Sequence, residues 1–239
     1  MLLTEKFDYK KLQRATEPGG ERRYITPTGA LPSVTTVLDK TKTEDQKQSL
    51  SNWRKRVGYD EAQRIVTESA NLGTIMHKHL ECHIEGTDRP TGSNYIRKRG
   101  EILADILILE GLKNVTECWG VEVPLYMPDL YAGTTDCVGM YNGKPAIIDF
   151  KTSRKNKKRE WVHDYFMQGS AYALAHNEVY GTDIKTVAIM MMTHEGDYLE
   201  FVCENDEFEH FSVEWLKKVD AYYMTVSYTH LTLPTTPYV

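Results

Sequence analysis

The segment Ile147-Ile-Asp149-Phe-Lys151-Thr-Ser153 sets a carboxylate and an amine two residues apart inside an apolar run. Residues two apart in a strand share a face, so Asp149 and Lys151 project together while Ile148 and Phe150 turn toward apolar packing on the other side. A charged pair at the end of a buried strand costs desolvation unless something uses it. Upstream, Gly133-Thr-Thr-Asp136 lies on the preceding strand of a hairpin turned at Asn142-Gly143, and pairing across that turn brings Asp136 toward Asp149. Two carboxylates with no basic partner between them suit a hard cation such as Mg²⁺, which takes one or two carboxylates plus water and phosphate oxygens. Lys151 beside them can orient or deprotonate a water and neutralise charge developing on phosphorus. The Asp-x-Lys triplet alone is a weak signal, because chance matches are common; its company gives it weight.

The elements that must hold these residues follow from periodicity. Cys118–Met127, Tyr131–Tyr141 and Lys144–Lys151 read as β-branched or aromatic strands separated by turn signals. A helix from about Glu160 to Tyr180 follows, then strands Thr186–Thr193 and Tyr198–Cys203 joined by Glu195-Gly-Asp197, and an amphipathic helix from about Asp206. Before the strands, Asp45 to Gly86 is helical in pattern, punctuated at Gly58 and Gly73. Tyr95–Gly111 is a further helix with Ile102, Leu103, Ile106 and Leu109 on one side. Residues 1–32 read as loops or a short hairpin around Glu17-Pro-Gly-Gly and Thr26-Pro-Thr-Gly, and Leu31–Leu38 begins the ordered fold. This order predicts an α/β fold, one central mixed sheet of about five strands flanked by helices, with an N-terminal helical region. The expected segments are residues 1–32, a helical region 33–114, a core 115–225 and a tail 226–239.

The 239 residues are 41% hydrophobic and 26% charged, with net charge −5. That excludes collagen-like, disordered and disulfide-dense classes and suits one large domain or a domain with a helical annex. No run approaches the roughly 18 apolar residues of a membrane span, and residues 1–11 do not read as a leader, so a cytoplasmic protein with no membrane partner is expected. Cys82, Cys118, Cys137 and Cys203 form no CxxC pair and are expected to be reduced thiols. The tail Val226-Ser-Tyr-Thr-His-Leu-Thr-Leu-Pro-Thr-Thr236 is unlike the rest. It matches an in-frame translation of a sequencing adapter, so residues 226–239 are expected not to be native.

Asp136, Asp149-Phe-Lys151 and Gln168-Gly-Ser-Ala-Tyr172, with Gly73-Thr-Ile-Met-His77-Lys-His-Leu-Glu81 and Pro32-Ser-Val-Thr-Thr-Val-Leu38 upstream, resemble the PD-(D/E)xK nuclease superfamily. The Gln-xxx-Tyr and the helical histidine point to its RecB-like exonuclease branch, close to the mitochondrial genome-maintenance and phage exonucleases. The resemblance runs from about Leu31 to Tyr180. It implies a restriction-endonuclease-like core and metal-dependent hydrolysis of DNA phosphodiesters, in phage or bacterial DNA processing and recombination. His77, Asp136, Asp149 and the Phe150 carbonyl would hold Mg²⁺ or Mn²⁺, with Lys151 as the catalytic lysine. Gln168 and Tyr172, about 40° apart around a helix, would both face the site and act with Asp136, Asp149 and Lys151. Glu122, in Val121-Glu-Val-Pro124, sits where the family often has an acid, though an exposed strand face explains it equally. Glu81, four residues on from His77, could hold its ring.

Lys151-Thr-Ser-Arg154-Lys155-Asn-Lys157-Lys158-Arg159 carries six basic residues and no acid, which suits sequence-independent phosphate contact. Arg54-Lys-Arg56 and Arg97-Lys-Arg99 extend that path, and Trp53 and Tyr95 could stack on bases. Ser33, Thr35 and Thr36 resemble a family loop that touches the strand. The expected substrate is single-stranded DNA with a free end, threaded under a helical arch built from Asp45–Gly111, with a recombination or single-strand-binding protein as a possible partner. His79, Cys82 and His83 share the His77 helix, but no second ligand motif completes a zinc site. The cysteine spacing does not match the iron–sulfur relatives, and no GxxxxGK[ST] is present, so no cluster and no ATP are expected. An endonuclease of the same superfamily and a non-catalytic DNA-binding accessory protein are the competing readings.

Overall fold

A computed structural model describes residues 3–17 and 20–231, with side chains through residue 225. Pro18 and Gly19 of the expected first turn, and residues 232–239 of the expected tail, lie outside the described residues.

The chain opens with a three-stranded antiparallel sheet, β1 (Gln13–Thr16), β2 (Arg22–Thr26) and β3 (Gly29–Pro32), in that order. Loops or a short hairpin were expected here. Turn formers dominate the sequence, and only Tyr24 and Leu31 bury apolar side chains, against Ala132 and Tyr126 of the main sheet. Ser33 then caps α1 (Val34–Lys40), its Oγ accepting the Thr36 N–H at 3.0 Å. Helix α2 (Glu44–Val57) starts on a reciprocal Thr43–Gln46 capping box and ends at Gly58, whose φ of +88° a residue with Cβ rarely adopts. Helix α3 (Tyr59–Glu85) runs through Gly73 without a break. There the missing Cβ serves close approach instead, since a methyl group would meet Thr152 Oγ1 at 3.3 Å. Helix α4 (Tyr95–Glu110) is capped by Asn94.

The main sheet has five strands in sequence order: β4 (Val115–Met127), β5 (Tyr131–Tyr141), β6 (Lys144–Ser153), β7 (Thr186–Thr193) and β8 (Tyr198–Glu204). All neighbours are antiparallel except β6 and β7, which run parallel and are joined through α5 (His163–Tyr180). Asn142 and Gly143 both take positive φ in the two-residue turn between β5 and β6, the geometry that Asn-Gly favours. Helix α6 (Asp206–Leu231) closes the described chain.

The sheet buries both faces. Ile147, Val187, Ile189 and Met191 pack with α1, α5 and α6; Ile148, Phe150, Met190 and Met192 pack with α3 and α4. The alternation along β6 therefore sets Asp149 and Lys151 on the α5 face. All four cysteines are free and buried. Among the described residues no helix is long and apolar enough to cross a membrane.

Candidate active site

The β5–β6 ladder runs from the Tyr141–Lys144 pair to the Cys137–Ile148 pair. One further step would set Asp136 opposite Asp149, but the paired register stops short of it. β6 stays bonded to β7 as far as Ser153, so from Asp149 onward its other edge is released. The side chains take up the freed backbone of Phe150. Its N–H donates to Asp136 Oδ2 at 2.7 Å, and its carbonyl oxygen lies 2.9 Å from His77 Nε2 of α3. His77 Nδ1 in turn lies 3.4 Å from Asp136 Oδ1.

This fork gathers most of the expected ligand set and adds one member. Ligand atoms of His77, Glu122 and Asp136 lie within 4.8 Å of one another. Glu122 sits in β4 with φ +50°, strained for a residue carrying Cβ, and the flanking β4–β5 register places it across from Asp136. Asp149, only 1% exposed, stands outside that trio and pairs with Lys151, Nζ to Oδ2 being 2.5 Å. The contact is an ion pair whose angles do not meet hydrogen-bond geometry at that oxygen. One imidazole, three carboxylates and a freed carbonyl form an oxygen-rich donor set that fits a hard divalent cation.

The electrostatics follow from burial and proximity. Burial pushes the Asp149 carboxyl up to about 6 although Lys151 pulls it down. Burial would also raise Asp136, but His77 and Lys151 outweigh it and hold Asp136 below its usual range. Desolvation would lower His77, yet Asp136 lifts it above its ordinary value. Lys151 is likewise raised, with Asp149 and Asp136 prevailing over burial. Desolvation, then Asp136, pushes Glu122 up.

Helix α5 covers the fork. Gln168 Nε2 donates to the Tyr172 hydroxyl at 3.2 Å, and the Tyr172 ring lies so near Gly133 that a Cβ there would come within 2.7 Å of it. Lys151 Nζ sits 5.3 Å from the Tyr165 ring centroid. Tyr165 was not singled out from the sequence, although it precedes Gln168 by three residues, a spacing that shares a helix face.

Two clefts adjoin the site. The first, about 610 Å³, is lined by His77, Glu122, Asp136, Gln168 and Tyr172, by Thr35 and Ser33, and by Arg14, Arg22 and Tyr24 of the small sheet. The three small-sheet residues carry no sequence signal, because the small sheet itself was not legible. The second, about 540 Å³, is lined by Arg154, Lys155 and Lys157 with Trp53, Trp161 and Tyr165. Lys158 Nζ lies 5.6 Å from the Trp161 ring centroid.

Other expected residues are placed differently. Ser33 and Thr36 are buried and bond to each other at 2.8 Å in the α1 cap, leaving Thr35 as the exposed hydroxyl. Glu81 pairs with Lys78 at 2.8 Å instead of holding His77, both of whose ring nitrogens face other partners. Arg97 donates to the Thr91 carbonyl and Arg99 to that of His194, so both pin loops. His79 accepts from Arg89. Tyr95 is 80% exposed on α4.

No family model matches the chain. A solved structure from Eubacterium rectale, provisionally described as an exonuclease, superposes with a TM-score of 0.47 at 12% identity, over 70% of this chain and 77% of that one. Mitochondrial genome maintenance exonuclease 1 of Xenopus tropicalis is 26% identical over 211 residues, 81% of this chain and 58% of the relative. The Homo sapiens protein of the same name is 26% identical over 196 residues, 76% of this chain and 55% of the relative. The chain thus spans somewhat over half the length of these curated relatives. Over about four fifths of its own length the chain is similar to mitochondrial genome maintenance exonuclease 1, a likeness consistent with a PD-(D/E)xK-like exonuclease.

Proposed function

We propose that this chain is a divalent-metal-dependent deoxyribonuclease, an exonuclease that hydrolyses phosphodiester bonds of single-stranded DNA from a free end. The observation that carries this reading is the β5–β6 fork, where His77, Glu122 and Asp136 converge beside the buried Asp149–Lys151 pair. The relatives named as exonucleases support it.

His77, Glu122, Asp136, Asp149 and the Phe150 carbonyl are the groups that would hold Mg²⁺ or Mn²⁺. When bound, the ion supplies positive charge to the phosphate and acidifies water. The chain's own residues do the rest. The carboxylates beside Lys151 keep it protonated, so its ammonium suits donation to an attacking water or to the phosphoryl oxygens on which charge builds. Gln168 and Tyr172, bonded to each other, fix the α5 wall against which the strand lies.

Arg154, Lys155 and Lys157 supply phosphate contacts in the second cleft, and Trp53 and Trp161 supply stacking faces for bases. Helix α2 buries none of its residues, as suits a helix standing over a passage and not part of a core. A role in phage or bacterial DNA processing, alongside a recombination or single-strand-binding protein, extends this reading.

The test is a gel assay on purified protein, with end-labelled linear and closed circular single-stranded DNA in Mg²⁺, Mn²⁺ or EDTA. Loss of the linear strand alone, only with metal, is the expected result. Cleavage of both substrates would make the protein an endonuclease, and binding without cleavage an accessory DNA-binding protein.

A further inference from the structure

We propose that Arg14 and Arg22, on neighbouring strands of the N-terminal sheet, form a phosphate clamp at the rim of the active-site cleft. It would grip a phosphate of the substrate strand away from the bond being cut. The inference rests on the nuclease reading and adds a binding element to it.

Register places the pair. Arg14 is opposite Tyr24 and Thr16 is opposite Arg22, so Arg14, Tyr24 and Arg22 occupy one face of the β1–β2 ribbon. That face is turned to the cleft by Tyr24, whose hydroxyl meets Thr134 Oγ1 at 3.1 Å, two residues before Asp136. All three residues line the same cleft as His77, Glu122 and Asp136.

The backbone beneath Arg22 is fixed. Its N–H donates to Thr36 Oγ1 at 3.2 Å, and its carbonyl accepts from the Ser33 N–H at 2.9 Å. Ser33 and Thr36, expected from the sequence to touch the strand directly, thus hold Arg22 in place, while exposed Thr35 remains on the lining.

Charge identifies the occupant. Among the described residues neither the Arg14 nor the Arg22 guanidinium has an ion pair or hydrogen bond. By contrast Arg23, whose side chain alternates to the other face, pairs with Glu17 at 2.9 Å and donates to the Ala30 carbonyl. Two like charges placed diagonally across a ladder repel unless an anion lies between them. Guanidinium matches phosphate with paired donors, so a phosphate group completes the site. It is either an internal phosphodiester or a terminal phosphate of the strand. The cleft then divides by charge, with acids for a cation on the β4–β5 side and arginines for phosphate on the small sheet.

The test compares wild-type protein with the Arg14→Ala/Arg22→Ala double variant and with Arg23→Ala, on linear single-stranded oligonucleotides ending in 5′-phosphate, 5′-hydroxyl or 3′-phosphate. The double variant is expected to raise KM about tenfold or more with a much smaller change in kcat. In EDTA, the salt dependence of binding, read by fluorescence anisotropy, should weaken by a slope of about 0.7 for the one phosphate no longer neutralised. Arg23→Ala should match the wild type in both. Equal loss on all oligonucleotides assigns the clamp to an internal phosphodiester, and loss confined to one terminal phosphate assigns it to that end. If the wild type cleaves and the double variant keeps its KM and salt slope, the clamp is overturned while the nuclease reading stands. A wild type that neither binds nor cleaves any oligonucleotide overturns both.

Discussion

Asp149 and Lys151 make a buried ion pair whose cost and use can be separated. Removing one member of such a pair strands the other charge, typically at about 3–5 kcal/mol, whereas replacing both by neutral groups is often nearly neutral. We therefore expect Asp149→Asn and Lys151→Met each to lower the melting temperature, and the double variant to recover at least half of the combined loss. All three should lose hydrolysis by about a hundredfold or more, because the role in cleavage proposed above needs both charges. Thermal unfolding of the four proteins as a double-mutant cycle, with the gel assay beside it, measures both effects. Additive losses of stability would show that the pair is not coupled, against the 2.5 Å separation.

At the scale of elements, the site exists because two strands part and a third is irregular. The released edge of β6 frees the Phe150 backbone for Asp136 and His77, and β4 carries Glu122 at φ +50° across from Asp136, just past its register shifts at Val115–Gly120. A left-handed conformation costs a residue with Cβ about 1 kcal/mol or more, a penalty glycine escapes. Glu122→Gly is thus expected to leave the melting temperature nearly unchanged, as relief of strain offsets the lost side chain. Mn²⁺ affinity should drop at least about tenfold, read by titration calorimetry. A large loss of stability with metal affinity intact would make Glu122 a structural residue and remove it from the ligand set.

Across the whole molecule, an N-terminal strap ties the start of the chain to the far end of α5. Phe7 and Tyr9 pack around Trp119, His176 and Tyr180. His176 is fully buried, with Nε2 2.9 Å from the Tyr9 hydroxyl and Nδ1 2.7 Å from Thr182 Oγ1. Burial pushes its pKa down to about 4 from an ordinary 6.5. Between those values the unfolded chain binds a proton that the folded protein does not. The contribution is therefore complete above pH 6.5 and is lost as pH falls toward 4, about 3 kcal/mol in all. Asp149, raised to about 6, acts in the opposite sense, so the comparison must be made variant against wild type. His176→Gln should flatten the fall in melting temperature between pH 6.5 and 4. An unchanged pH profile would show that His176 does not control this limb.

The sequence by itself determined the strand and helix order, the shared face of Asp149 and Lys151, the Asn142-Gly143 turn and the break at Gly58. These depend on local geometry: alternation along a strand, positive φ at a turn and periodicity along a helix. The motif residues His77, Asp136, Asp149 and Lys151 were legible for a different reason, their joint resemblance to a known nuclease pattern. Tertiary structure alone decided what could not be read locally. It released β6 from β5 beyond Ile148, brought Glu122 of β4 across to His77 of α3, and set Lys78 in place of His77 as the partner of Glu81. It also formed β1–β3 from residues with few apolar side chains, whose burial against Ala132 and Tyr126 has no periodic signature. Arg14 and Arg22 became candidate phosphate ligands only then, because strand pairing, not spacing along the chain, turned them into the same cleft.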